Sequence, residues 1–195
     1  MNWRERMERY GISPREAAFC ALFSIGAAAI LGLRVGASAA VFSAALGFGM
    51  LIITITDSRR MLIPDVVSLP MIPLGLIASF ACLPAAWTAI LTNHAIAAAV
   101  AAGALYGLRW AYFRLRAVIG LGFGDVKIAA VAGSWLGLEQ LPLVLLLASC
   151  AALVATLIAS RLNKERRLSA STAVPFGSFI APAIFIGWIL LLIRV

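Results

Sequence analysis

Gly120-Leu121-Gly122-Phe123-Gly124-Asp125-Val126-Lys127 breaks an apolar chain with three alternating glycines, an acid and a base. Glycine allows backbone conformations and close approaches that a Cβ blocks. An aspartate at the head of an apolar segment is costly unless it has a partner or a task. One other acid sits in an equivalent place. Asp57 closes an apolar run that ends Asp57-Ser58-Arg59-Arg60. How the chain is built around these two acids decides the fold.

Of the 195 residues, 63% are hydrophobic and 12% charged, against roughly 25% charged in a soluble domain. A water-soluble fold of this length cannot hide that much apolar surface, so composition points to a multi-pass membrane protein with the lipid bilayer as its solvent. The net charge of +8 raises nucleic acid as a partner. The Lys and Arg residues, however, fall in short clusters between apolar runs, as membrane topology requires, and no nucleic acid is expected. Cys20, Cys82 and Cys150 are isolated inside apolar runs with no CxxC pair. They read as small buried hydrophobes rather than zinc or redox ligands. His94 is the single histidine and reads as a packing or interfacial residue. No metal site is expected.

Outward from the glycine stretch, apolar runs cover about 17–33, 36–56, 63–84, 87–108, 126–138, 141–160 and 176–193. Residues 1–16 are polar, with Arg4, Arg6, Arg9 and Arg15 set against Glu5, Glu8 and Glu16. Ala37-Ser38-Ala39 has the form of a signal-peptidase site. The run before it is long for a signal and its leader is rich in acids, so an uncleaved first span is preferred. Pro70 and Pro73 fall inside the third run, where neighbouring helices can satisfy the freed carbonyls. The fourth run is rich in alanine, which lets helices approach closely in lipid. Most runs are near the ~20 residues that span a bilayer core; 126–138 is short. With a cytoplasmic N-terminus, seven spans place all of the 16 Lys and Arg inside except Arg34 and Arg194. The expectation is an all-α, polytopic transmembrane helix bundle of about seven spans. Asp57 and Asp125 then lie on one face, without any functional assumption.

Two carboxyl groups within a few ångströms cannot both ionise cheaply, so they share a proton and offer acid and base together. Such a pair activates water for attack on an amide while protonating the carbonyl or the leaving nitrogen. The plainer alternative is structural. Asp57 then pairs with Arg59 or Arg60, and Asp125 suits the macrodipole of a helix first turn. Lys127 either pairs with an acid or reaches to the interface, and the second is favoured on energy.

The flanking residues carry a resemblance. Gly122-Phe123-Gly124-Asp125 matches the GxGD signature of intramembrane aspartyl proteases. The string from Gly122 to Gly137 resembles its version in the type IV prepilin peptidase family. Asp57-Ser58-Arg59-Arg60-Met61-Leu62-Ile63-Pro64-Asp65 resembles that family's first aspartate segment, with Asp65 where the family has Asn. Val174-Pro175-Phe176-Gly177-Ser178-Phe179 resembles its late Pro-Phe-Gly element. Presenilin-like proteases instead carry a late Pro-Ala-Leu. The resemblance covers about residues 45–190. It implies that Asp57 and Asp125 are the catalytic pair of an aspartic endopeptidase. It also implies that Gly122, Gly124, Lys127, Asp65, Pro64, Pro175 and Gly177 shape the site or bind substrate. The implied substrate is the basic leader of a prepilin or pseudopilin, cut at the cytoplasmic face of the bacterial inner membrane just before the pilin's apolar helix. Pilus or secretion assembly proteins are the further partners.

Larger, bifunctional members also methylate the new N-terminus and carry a domain with paired cysteines. This chain has no paired cysteines and resembles the short form that serves Flp-type pili, with one extra N-terminal span. The expected organisation is one integral-membrane domain over 1–195: a cytoplasmic segment 1–16, the extra span 17–33 and a peptidase core over about 36–193. No cofactor is expected. Two rivals come from other classes. A non-catalytic assembly component could keep the fold. A proton-coupled transporter would place its acids near the midplane in two repeated halves, whereas both acids here sit at helix ends and no repeat is visible. A rhomboid-type serine protease needs a Ser–His pair, and His94 falls toward the opposite side from the glycine stretch.

Overall fold

The structure, a computed structural model, describes residues 10–83, 86–118, 120–162 and 175–194. The charged residues of 1–9, Pro84, Lys164, Arg166, Arg167 and Val174 lie outside the described residues. Six helices and no strand are formed among the described residues: α1 Pro14–Val35, α2 Ala37–Arg60, α3 Asp65–Cys82, α4 Trp87–Arg116, α5 Phe123–Leu162 and α6 Gly177–Arg194. Five of these, α2 to α6, are long and apolar enough to cross a membrane. The protein is an all-α, multi-pass membrane bundle.

Local sequence explains the helix ends. Ser13 caps α1: its Oγ accepts from the Glu16 N–H, while Glu16 Oε2 accepts from the Ser13 N–H at 2.9 Å, and Pro14 fills the first turn. Gly36, at φ 105°, separates α1 from α2. The Ala37-Ser38-Ala39 triplet is therefore the first turn of α2. Met61 ends α2 in a left-handed conformation, and its N–H returns to the Asp57 carbonyl. The basic stretch expected as a loop after 108 instead continues α4 to Arg116. The interruption comes only at Ala117, which is also left-handed.

The two runs expected at 126–138 and 141–160 are one helical element, α5, broken only at Gly137. Gly137 has φ 68° and ψ 178°, a backbone region essentially reserved for glycine. Unbroken, its 40 residues would run about 60 Å, twice a bilayer core. Leu136 before the break and Val144 after it both lie against Gly187 of α6, so α5 kinks at Gly137 and both of its arms reach α6. The arm 123–136 runs antiparallel to α4, with Gly133 against Ala97 and Gly137 against Asn93.

The largest side chains of the core are two tryptophans. Trp135 and Trp188 meet edge to face with ring centroids 5.0 Å apart, and both are fully buried. A buried indole needs an acceptor. Trp135 Nε1 donates to the Met71 carbonyl at 2.9 Å, and Trp188 Nε1 donates to Ser43 Oγ at 3.0 Å. These contacts join α3 to α5 and α2 to α6.

At the Gly137 end lies a buried polar cluster. His94 Nδ1 is 2.9 Å from Ser79 Oγ and 3.0 Å from the Ser134 carbonyl. Ser79 Oγ is 2.8 Å from the Gly75 carbonyl, to which it donates. A carbonyl only accepts, so Nδ1 carries the imidazole proton, and the Ser79 proton is already used. Asn93 Oδ1 accepts from the Leu138 N–H at 2.9 Å, an amide that the break in α5 leaves without a helical partner. His94 thus packs and braces the turn. The Ser–His contact does not have the hydrogen-bond sense of an activated serine.

Candidate active site

At the opposite end, four chain segments converge: the end of α2, the connection 61–64, the start of α3 and the first turn of α5, with the start of α6 behind them. Asp57, Met61, Leu62, Ile63, Asp65, Gly122, Phe123, Gly124, Asp125 and Lys127 line one cavity of about 210 Å³. Both aspartates are therefore on one open wall, although 68 positions separate them in sequence (125 − 57).

Asp57 is 5% exposed and sits one turn inside α2 rather than in a loop after it. Its Oδ2 accepts from the Ser178 N–H at 2.8 Å. That amide belongs to the first turn of α6, where helical N–H groups lack internal partners and favour an anion. Gly177 makes the approach possible. A Cβ there would meet Asp57 Cγ at 3.0 Å and Ile63 Cδ1 at 2.9 Å. Arg59, offered by the sequence as a partner for Asp57, reaches Glu16 of α1 instead at 2.6 Å.

Asp125 is the third residue of α5, and its Oδ2 accepts from the Gly122 N–H at 3.1 Å. This is the backward half of a capping box, so Asp125 does serve its own helix. It also lines the cavity. Gly124 lets the α5 start approach the 61–64 connection: a Cβ there would meet Ile63 Cβ at 3.0 Å. Ile63, 8% exposed, is wedged between Gly124 and Gly177. It sets the spacing of the two acidic segments.

Lys127 corrects one expectation. Its Nζ is 2.5 Å from Asp65 Oδ1 and 5.0 Å from the Phe123 ring centroid. It is paired rather than snorkelling, because α3 begins directly beside the α5 first turn. The Lys127 side chain is 18% exposed and that of Asp65 57%, so Asp65 forms the outer rim. Pro64 and Pro175 do not line the cavity. Pro64 precedes α3, and its carbonyl accepts from Ser68 N–H at 2.9 Å. The Pro175 carbonyl accepts from Ser178 Oγ at 2.6 Å. Each proline turns the chain into a helix that frames the site.

Three contributors were not legible as site residues. Ser178 acts through its backbone, Ile63 acts by shape, and Arg109 of α4 donates to the Leu121 carbonyl, holding the glycine stretch. Ile63 and Ser178 at least fall within the two quoted stretches, Asp57–Asp65 and Val174–Phe179; Arg109 gave no signal.

Fold and site together define a polytopic helical membrane protein with two carboxylates set around one open cavity at one end of the bundle. A profile of the type IV leader peptidase family matches residues 44–157. The chain is 33% identical over 174 residues to the prepilin leader peptidase/N-methyltransferase of Pseudomonas putida, covering 89% of this chain and 56% of that one. The corresponding protein of Pseudomonas aeruginosa is 35% identical over 147 residues, 75% of this chain and 47% of that one. That of Escherichia coli is 34% identical over 133 residues, 68% and 55%. No solved structure gives a significant match. The chain belongs to the type IV leader peptidase family. It spans about half the length of the curated relatives it matches.

Proposed function

We propose that this chain is a membrane aspartic endopeptidase that removes the basic leader of prepilin-like or pseudopilin substrates at the cytoplasmic face of the bacterial inner membrane. The observation that carries the reading is the placement of Asp57 and Asp125 on the wall of one open cavity. Their hydrogen bonds run to backbone amides and leave oxygen atoms for water. One carboxylate takes a proton from water as its oxygen attacks the scissile carbonyl carbon. The other carboxyl gives a proton to the carbonyl oxygen. The tetrahedral intermediate then collapses, the C–N bond breaks, and the nitrogen leaves protonated. The products are a leader ending in a carboxylate and a helix-bearing fragment with a new amine. The dyad activates water itself, so no metal or organic cofactor is required.

The site-shaping residues fit this reading. Gly122, Gly124 and Gly177 let the acidic segments close on each other. Asp65 stands on the rim with its carboxylate held by Lys127. A basic leader exchanges with Lys127 for that carboxylate. The basic clusters support the cytoplasmic placement of this end. Purified protein incubated with a synthetic prepilin leader substrate should release the leader. No release by folded protein overturns the reading.

A further inference from the structure

A second cavity, a groove between the later part of α5 and α6, adjoins the one already described. It has a volume of about 500 Å³ and runs from Ser178 and Phe179 to Leu190 and Arg194 along α6. Along α5 its wall runs from Glu139 to Ala151. Leu143, Leu147, Ile186 and Leu190 stand 56%, 57%, 57% and 48% exposed on its edges. Ala151, Ala183 and Gly187 also line it, and such small residues let another helix lie close in lipid.

Three features select the occupant. The first is length: α6 has 18 residues, about 27 Å at 1.5 Å per residue, close to the ~30 Å hydrocarbon core. The second is polarity. The middle is apolar, and the polar groups are at the ends, with Ser178 at one and Glu139, Gln140 and Arg194 at the other. The third is continuity with the acid pair. Ser178 lines the groove, and its N–H is the donor held by Asp57. A helix laid in the groove delivers its near end to Asp57.

We propose that this groove is the docking site for the apolar transmembrane helix of the substrate, with the scissile bond at the Ser178 end. The inference rests on the proposed peptidase reading, since it needs a substrate whose cut lies next to such a helix. The groove supplies affinity and register, while the dyad supplies chemistry. Cleavage of a soluble peptide that ends shortly after the scissile bond should then be independent of the groove.

The test uses full-length protein in liposomes, a helix-bearing prepilin and a helix-less leader peptide. Leu147→Trp and Ile186→Trp fill the groove from its two walls. Each should raise KM for the helix-bearing prepilin roughly tenfold, the scale of one well-packed anchor contact, and leave cleavage of the short peptide unchanged. An unchanged KM in both variants overturns the docking site. Absence of cleavage of either substrate by the unsubstituted protein overturns the peptidase reading instead. A second measurement stands apart from turnover. A photoreactive side chain at position 147 in Asp125→Asn protein should crosslink the prepilin helix, and one at position 106 on exposed α4 should not. Crosslinks from position 147 to phospholipid alone, or to a second copy of this chain alone, overturn the proposal.

Discussion

The two ends of this bundle each bury polar side chains in an apolar chain, and they use them in opposite ways. At the Gly137 end, Ser79, His94 and Asn93 are bonded to carbonyls, to an amide and to each other. The protons on the Ser79 hydroxyl and on His94 Nδ1 are committed. At the other end, Asp57 and Asp125 accept from backbone amides and face an open cavity. The first arrangement can only hold a turn. The second keeps acceptor oxygens and access for water. Reactive residue types do not make a reactive site; uncommitted lone pairs beside an opening do.

Substitutions should separate the ends. The largest effect is expected for Asp57→Asn or Asp125→Asn. Either should lower leader cleavage by at least about a thousandfold, with membrane abundance unchanged. Substantial cleavage by either variant, measured by product release, would remove the functional contrast between the ends. Gly177→Ala comes next. Its Cβ must displace Asp57 or Ile63, and a displacement near 1 Å costs on the order of a hundredfold in kcat. A variant with wild-type kcat would show that the α6 contact does not position Asp57.

The opposite end should respond in stability rather than rate. His94→Ala removes the imidazole donor of the buried Ser134 carbonyl and leaves it only the longer 3.3 Å contact from Ser79 Oγ, a cost of about 1–3 kcal/mol. Thermal unfolding in detergent should show the loss, while kcat at a temperature where the protein is folded stays within about twofold, since no reacting atom is touched. A His94→Ala protein that is fully stable but inactive would invert the comparison.

The smallest effect is expected at α1. Arg59 and Ser13 hold the Glu16 carboxyl down to about 2; Glu16 precedes the apolar run that begins at Ala17. A lowered folded value means that the tie is complete above the ordinary carboxylate range and is lost as pH falls through about 2. Glu16→Gln should therefore loosen the first turn of α1 only slightly at neutral pH, as the loss of a solvent-screened ion pair does. Hydrogen exchange of the first turn of α1 reads it, with cleavage unaffected.

The sequence already spelled out much of this architecture, for identifiable reasons. Helical class and bundle followed from uninterrupted apolar runs, whose polar backbone must be satisfied within each segment. The Lys and Arg clusters pointed Asp57 and Asp125 toward one end. Other features depend on contacts remote in sequence. The Lys127–Asp65 pair joins α5 to α3, and local reasoning offered Lys127 only a choice of fates. The Asp57–Ser178 bond joins α2 to α6, and a backbone donor leaves no mark in side-chain chemistry. The break in α5 had a clear local sign, Gly137 with Pro142 close behind, yet a loop was expected where one residue suffices. Local propensity could not supply the brace at that turn, because Asn93 and His94 come from another helix.

The bond between Asp57 and Ser178 also sets an order of events during synthesis. Both aspartates leave the ribosome well before residue 178. A nascent chain that has inserted α1 to α5 carries the acid pair but not the amide that holds Asp57, nor the α6 side of the adjoining groove. The acidic end is completed when α6 arrives, so the fold gives the emerging chain a built-in delay before its chemistry is assembled.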